Sequence, residues 1–150
     1  MAYEVSTTIE IAATPENVWA VLADLASYPD WHPMYLGVTG QLAAGSTLTI
    51  TTTQPTTGRP MTAKVKVRTA DPDTELQWVS KPLGVTISKR TFRLSPTAGG
   101  TSLMQAGTYS GLGGGRGRAM TKVIGRIQDT YVAINEAIKQ QAEARQQASG

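Results

Sequence analysis

The sequence of 150 residues contains no cysteine and only one phenylalanine. The absence of cysteine excludes disulfides, thiolate metal sites, iron–sulfur clusters and a cysteine nucleophile. No stretch of about 18 apolar residues occurs, so we expect no transmembrane helix. The first residues alternate between polar and apolar, unlike the continuous apolar region of a signal peptide. A cytoplasmic location is therefore the default expectation.

Charged residues are scarce and scattered. They make up 17% of the chain, with 14 Lys and Arg against 11 Asp and Glu and a net charge of +3. No run of five or six basic residues is present, so we predict no nucleic-acid-binding arm. A chain of this length buries about 68–70% of its unfolded surface, which is enough for a core. We therefore expect one globular domain over residues 1–150.

The chain opens with a strand pattern and a short helix. Polar and apolar residues alternate over 3–11, as in a half-buried strand. Thr14 and Pro15 then supply an N-cap hydroxyl and a proline at the first helical position. An apolar stripe at helical spacing follows. Pro29 and Pro33 limit the next segment to a loop or one short helical turn.

The rest of the chain predicts hairpins followed by one long helix. Turn residues separate strand patterns at 36–42, 47–53, 61–68, 76–79, 85–94 and 101–109. From Met120 to Ile138, apolar residues recur at spacings of three and four, which indicates an amphipathic helix. The polar segment from Gln140 to Gly150 is expected to fray. This order predicts an α+β fold with a curved antiparallel sheet packed on the long helix.

A family resemblance begins in the segment TPENVWAVLADLASYPDWHP, residues 14–33. It resembles the opening motif of the START/Bet v 1-like superfamily, specifically its polyketide cyclase/dehydrase and lipid-transport branch. The matching positions are Pro15, Val18, Trp19, Leu22, Asp24, Tyr28, Trp31 and Pro33. The segment FRLSPTAGGTSL resembles that family's penultimate hairpin, and the order of elements agrees over nearly the whole chain. The resemblance implies a helix-grip fold, in which a seven-stranded sheet wraps around the C-terminal helix and one or two short helices follow the first strand.

The same resemblance implies an apolar cavity between sheet and helix. Members of the family bind lipids, sterols, polyketides or hormones there, and a minority catalyse cyclisation or dehydration. They share no universal catalytic residue, so no catalytic assignment is carried over. We expect a module that binds a small hydrophobic or aromatic ligand, without a cofactor, as a monomer or weak homodimer. The alternatives are a polyketide cyclase or dehydratase and, less favoured, a co-chaperone-like protein-binding module.

His32 is the only histidine. An ordinary pKa near 6.5 suits acid–base catalysis, and Asp24 and Asp30 are near in sequence as orienting partners. A zinc site would need carboxylates for every remaining ligand, because no cysteine or second histidine exists. We favour a structural or rim position for His32, keep catalysis as the alternative, and expect no metal site.

Arg90 lies on the strand pattern 85–94 and shares one face with Phe92 and Leu94. If that face packs on the helix, the buried guanidinium needs an anion or several acceptors. A ligand carboxylate, enolate or phenol oxygen would serve, as would Glu75 or Asp24. The opposite strand orientation would leave Arg90 exposed near the rim, and both orientations remain open.

Few bulky side chains are available to fill the space between sheet and helix, which favours a cavity. We predict that its lining includes Trp31, Trp78, Arg90, Phe92, Tyr109, Met120 and Ile124. Trp31 is the residue that we expect to form a wall or lid. In an enzyme, Arg90 would polarise an oxygen, and His32 or Tyr109 would move a proton.

The glycine-rich segment GLGGGRG, residues 111–117, lacks the spacing of a dinucleotide-binding or Walker motif. We interpret it as a hinge between the last strand and the long helix. Arg116 and Arg118 stand at the start of that helix, where positive charge opposes the helix dipole. A solvated position or an anionic ligand group would explain their placement.

Overall fold

The computed structural model describes residues 2–53, 57–80, 87–110 and 118–149, with side chains within 4–53, 57–80, 89–108 and 125–148. Within these ranges the chain forms seven strands, namely β1 (Ala2–Ile11), β2 (Tyr35–Thr39), β3 (Thr47–Thr53), β4 (Pro60–Asp71), β5 (Glu75–Ser80), β6 (Ile87–Thr97) and β7 (Gly100–Ser110). The helices are α1 (Pro15–Ala23), a 3-10 turn (Leu25–Ser27), α2 (Tyr28–Trp31) and α3 (Arg118–Ser149).

The strands form one antiparallel sheet in the order β1-β7-β6-β5-β4-β3-β2. Strands β2 to β7 pair as successive hairpins, whereas α1 and α2 carry the chain from β1 to the opposite edge. The predicted α+β helix-grip fold is therefore confirmed. The hinge prediction for 111–117, including Arg116, lies outside the described residues, as does the side chain of Arg118.

The inner face of the sheet packs against the helices. Alternate strand residues such as Leu48, Leu76 and Leu103 are fully buried there, and α3 contributes Ile134 and Ile138, each 1% exposed. Buried apolar residues thus recur at every second position in the strands and at every third or fourth position in the helix. Burial of each such side chain stabilises the fold by about 1.5–3 kcal/mol.

The segment after β1 follows the predicted start signal. Asn17 N donates to Thr14 Oγ1 over 3.3 Å, and Pro15 occupies the first turn of α1. Val18, Val21 and Leu22 are buried on one side of this helix. The single turn of α2 matches the prediction of one short turn between the prolines.

The end of α3 differs from the predicted frayed tail. The helix continues to Ser149, and Ala142 is fully buried. Glu143 Oε2 accepts a hydrogen bond from Ala12 N over 2.9 Å, and Gln146 Oε1 accepts one from Thr14 N over 3.0 Å. These bonds link the end of α3 to the β1–α1 connection, an anchoring that the polar composition conceals. None of the helices in the described part of the chain has the length and hydropathy to cross a bilayer.

Candidate functional site

A cavity of about 170 Å³ lies on the inner face of the sheet, toward the end where β2, β4 and β6 begin. Side chains alternate across a strand, so the inward set of each of these strands contributes to one wall. That wall is mainly apolar with a few polar groups, as in ligand pockets. The lining residues are Tyr35, Ile50, Thr52, Ala63, Val65, Trp78, Ser80, Lys89 and Arg90.

Trp78 and Arg90 occupy directly opposite positions on β5 and β6. Trp78 is 4% exposed, and its ring meets that of Phe92 edge to face at 5.7 Å. Phe92 is 3% exposed and belongs to the core beneath the cavity wall. Both aromatic side chains are therefore buried on the inner face of the sheet, and their contact with a ligand stays a prediction.

Arg90 points inward, in the orientation that Phe92 and Leu94 share. Its Nη1 donates to the Tyr35 hydroxyl over 2.8 Å, and its guanidinium carbon lies 4.7 Å from the centroid of the Tyr131 ring on α3. A cation over an aromatic face is attracted by the ring quadrupole. The two tyrosines thus hold a positive charge at the cavity wall.

The carboxylates considered as partners for Arg90 occupy other positions. Glu75 forms an ion pair with Arg93 at 2.9 Å on the opposite face of the sheet. Asp24 is exposed at the end of α1. A ligand oxygen as a partner of Arg90 stays a prediction.

His32 is 8% exposed and serves the local backbone. Its Nδ1 accepts hydrogen bonds from Met34 N and Tyr35 N, both over 3.0 Å. Burial, together with the positive charge of Arg90, lowers the pKa of His32 to about 3. The ring is therefore neutral at neutral pH, and its Nδ1 lone pair is already engaged. In the structure His32 thus accepts hydrogen bonds from the backbone that leads into β2, and a catalytic role for it stays a prediction.

Aromatic rings around His32 fix the position of Tyr35. The rings of His32 and Tyr35 stack at 3.8 Å with an interplanar angle of 6°. Tyr28 stacks with both of them, at 5.7 Å from His32 and 6.2 Å from Tyr35. The Tyr28 hydroxyl donates to Leu22 O over 2.6 Å, and burial raises the pKa of this hydroxyl. The Tyr35 ring is thus held between α2 and the cavity.

Trp31 lies in this aromatic group rather than in the lining of the described cavity. Its Nε1 donates to Ser27 Oγ over 3.0 Å, and its ring is 4.8 Å from that of Tyr28. It is half-buried and packs against the core. The structure places the Trp31 ring in contact with the rings of Tyr28 and His32. A role for Trp31 as a lid stays a prediction.

Three of the predicted site side chains, Tyr109, Met120 and Ile124, lie outside the described side chains. In the part of the chain that is described, no three His, Asp or Glu side chains come together as a candidate metal site. The predicted residues that the structure brings together are therefore Trp78, Arg90 and Phe92.

Tyr35 and Tyr131 are the important residues that the sequence reasoning missed. Tyr35 is part of the same aromatic stretch as His32, but a register shift between Tyr35 and Gly37 disrupts the alternation of β2. Tyr131 belongs to the apolar stripe of α3, which indicates burial without indicating its partner. Only the tertiary fold brings both rings to Arg90.

Comparison with known proteins agrees with this architecture. Residues 2–143 match a family described as "Polyketide cyclase / dehydrase and lipid transport". No curated protein matches the sequence.

Solved structures are similar in fold at low sequence identity. The Zhui aromatase/cyclase from Streptomyces sp. R1128 has a TM-score of 0.79 and 19% identity, covering 100% of this chain and 99% of that one. The di-domain ARO/CYC StfQ of the steffimycin biosynthetic pathway has a TM-score of 0.78 and 16% identity, covering 97% of this chain and 52% of that one. The present chain therefore spans about half of the di-domain protein. Ara h 8.0201 has a TM-score of 0.68 and 14% identity, covering 92% of this chain and 98% of that one.

Proposed function

Because the chain belongs to the polyketide cyclase/dehydrase and lipid transport family, we propose that it binds a small hydrophobic or aromatic ligand between the sheet and α3. The ligand's apolar body contacts Trp78, Ile50 and Val65, and an acceptor or anionic oxygen faces Arg90. The observation that carries this proposal is a mainly apolar cavity with one guanidinium at its wall.

The size and polarity of the cavity support a ring-shaped group. The described residues line a half-open cavity of about 170 Å³, a volume comparable with the roughly 150 Å³ of an engineered apolar cavity that holds benzene. Trp78 offers an aromatic wall for stacking or edge contacts. An oxygen on the ring that reaches Arg90 gains a charge-assisted hydrogen bond.

Naphthoate, an aromatic carboxylate, and methylnaphthalene, its neutral counterpart, test the proposal by titration of tryptophan fluorescence. Both should bind saturably, with naphthoate preferred. Arg90→Gln should reduce naphthoate affinity by about tenfold, the equivalent of 1.4 kcal/mol, and leave methylnaphthalene affinity nearly unchanged.

Arg93→Gln is the matched control, because Arg93 lies on the same strand with its side chain on the opposite face. This variant removes one positive charge without altering the cavity. Equal losses of naphthoate binding in both variants would contradict a specific role for Arg90. An absence of saturable quenching by either probe would overturn the ligand-binding proposal itself.

Cyclisation or dehydration of a polyketide-like substrate is the second candidate. The Arg90–Tyr35 contact of 2.8 Å favours it, because a guanidinium stabilises a developing enolate oxygen and a phenol can donate a proton. His32 fits the proton-transfer role poorly, since burial and Arg90 lower its pKa to about 3.

A poly-β-ketone substrate followed by mass spectrometry separates the two candidates. A dehydrating enzyme should form a product that has lost water, and a cyclase alone should form an isomer of unchanged mass that separates from the substrate by chromatography. Tyr35→Phe should slow product formation by about a hundredfold. Return of the substrate unchanged, with binding retained, would leave the carrier function and remove the catalytic one.

A further inference from the structure

The outer face of the sheet carries a separate concentration of positive charge. Buried Val65 and Val67 alternate on β4 with exposed Lys64, Lys66 and Arg68. Across the sheet, Lys66 lies opposite Val79 of β5, and Val79 lies opposite Lys89 of β6. We call Lys64, Lys66, Arg68 and Lys89 the outer basic cluster. Of these, Lys89 also borders the cavity on the inner face, beside Arg90, and does not line the outer hollow.

This cluster holds four of the 14 basic residues of the chain. The chain has 14 basic and 11 acidic residues. Without the four cations of the cluster, ten basic and eleven acidic residues remain, with a net charge of −1. The cluster is thus a local concentration of positive charge on the outer face, and such a concentration directs association with an oppositely charged partner.

Among the described residues, one ion pair lies at the border of the cluster. Arg93 pairs with Glu75 over 2.9 Å at the β5–β6 edge of this region. Thr47 and Thr49 lie opposite Lys66 and Lys64 on β3 and add hydroxyl groups. Cations at alternate residues of one strand are only about 7 Å apart. Their mutual repulsion disfavours the isolated surface, and an acidic partner would relieve it.

The cluster surrounds a concave feature. A hollow of about 520 Å³ is lined by Thr47, Lys64, Val65, Lys66, Arg68 and Val79. Val79, which is 8% exposed, lies among the cations. A projecting carboxylate side chain would fit this hollow and contact several cations and hydroxyls at once.

We propose that the outer basic cluster docks an acidic surface of a partner protein. The exposed large apolar side chains among the described residues are Met34, Leu36, Met61 and Val132, and none of them lines the hollow. Insertion into a bilayer would therefore lack an apolar anchor on this face. Fixed strand spacing, hydroxyl groups and a concave centre suit discrete carboxylates better than a plane of lipid headgroups.

Fluorescence anisotropy with a labelled polyglutamate peptide tests the proposal at low and physiological salt. The wild type should bind the peptide, with affinity falling as salt screens the charges. The double variant Lys64→Glu/Lys66→Glu should weaken binding by about tenfold or more.

The matched control is Arg59→Glu/Arg126→Glu. Both arginines are exposed outside the cluster, and the pair changes the net charge by the same amount. It should weaken peptide binding by less than about threefold. Circular dichroism and naphthoate binding should be unchanged in both variants, which separates this surface from the cavity.

Three results would overturn the proposal. Equal weakening in the two double variants would show a response to total charge alone. Binding to phosphatidylserine vesicles without binding to the peptide would assign the face to a lipid surface. Self-association of the wild type in sedimentation, lost in the cluster variant, would assign it to a second copy of this chain.

Discussion

The two ends of the interface between sheet and α3 differ in composition and packing. At the packed end, Ile11, Leu103, Ile138 and Ala142 are at most 2% exposed and belong to one apolar cluster. At the cavity end, Tyr35, Trp78 and Arg90 surround a volume that the described side chains leave empty. Aliphatic packing thus fixes the helix at one end, while at the other the described aromatic and polar side chains border a cavity.

A buried amide pair lies between these two ends. Gln105 Nε2 on β7 donates to Asn135 Oδ1 over 2.7 Å and to Tyr131 O over 3.3 Å, the latter belonging to the residue whose ring contacts Arg90. Gln105 Oε1 and Asn135 Nδ2 are buried without a partner in the described part of the chain. Such incomplete pairing is destabilising. The packing of α3 on β7 is therefore weaker at this amide pair than at the packed end.

Among the substitutions considered, Gly100→Ala at the packed end should cause the largest loss of stability. Gly100 has φ +147°, and a Cβ there would lie 2.2 Å from Ile11 O and 2.8 Å from Ala13 N. Because both neighbours are backbone atoms, we expect a loss of at least about 3 kcal/mol in the free energy of unfolding. Urea denaturation measures it.

Gly99→Ala provides the control, since a Cβ at Gly99 meets no atom within 4 Å. Its effect should stay within about 1 kcal/mol. Similar losses in the two alanine variants would show that the close approach at Gly100 is not what limits the substitution.

Truncating one side chain at the packed end and one in the cavity wall compares the two regions directly. Leu103→Ala removes a fully buried side chain, and Ile50→Ala removes the same number of carbons from the cavity wall. Leu103→Ala should cost about 3–4 kcal/mol. Ile50→Ala should cost at least about 1 kcal/mol less, because a side chain beside a void has fewer atoms to lose contact with.

Naphthoate titration completes this comparison. Ile50→Ala should change the dissociation constant, while Leu103→Ala should leave it near the wild-type value under conditions where the protein is folded. If Leu103→Ala changed naphthoate affinity and Ile50→Ala caused the larger loss of stability, the division into a packed end and a cavity end would be wrong.

His32 makes the cavity end sensitive to acid. Its pKa is about 3 in the folded protein but near 6.5 when unfolded. The unfolded state therefore takes up the proton first, and stability falls as pH drops from about 6.5 to about 3. This group alone should contribute a loss of up to about 1.4 kcal/mol per pH unit within that window.

His32→Asn retains a side-chain acceptor for the Met34 and Tyr35 backbone N–H groups but cannot titrate. Urea denaturation between pH 7 and pH 4.5 should show a shallower loss of stability for this variant than for the wild type. Parallel curves for the two proteins would show that His32 is equally protonated in the folded and unfolded states.

Local periodicity predicts much of the fold, but only tertiary contacts complete the site. The shared parity of Arg90, Phe92 and Leu94 indicates that all three face the same way, and the burial of the last two fixes that direction. The contact between Arg90 and Tyr35 joins residues 55 positions apart. It also depends on the β2 register shift, which no residue pattern reveals.

The end of α3 offers the smallest and most specific test of the packed end. Gln146 Oε1 accepts from Thr14 N over 3.0 Å and from Asn17 Nδ2 over 2.7 Å. Gln146→Ala should cost about 1 kcal/mol, because water replaces part of what these exposed and half-buried hydrogen bonds contribute. Differential scanning calorimetry would measure the accompanying fall in Tm.

Gln147→Ala changes an exposed neighbour of the same type and should leave stability within about 0.5 kcal/mol of the wild type. Alanine raises helix propensity slightly at both positions, so the difference between the two variants isolates the anchoring bonds from that shared gain. A frayed segment would respond equally to both substitutions. A larger loss of stability for Gln146→Ala than for Gln147→Ala therefore requires that the last turns of α3 dock on the β1–α1 connection. Equal losses would instead support the frayed tail that composition predicts.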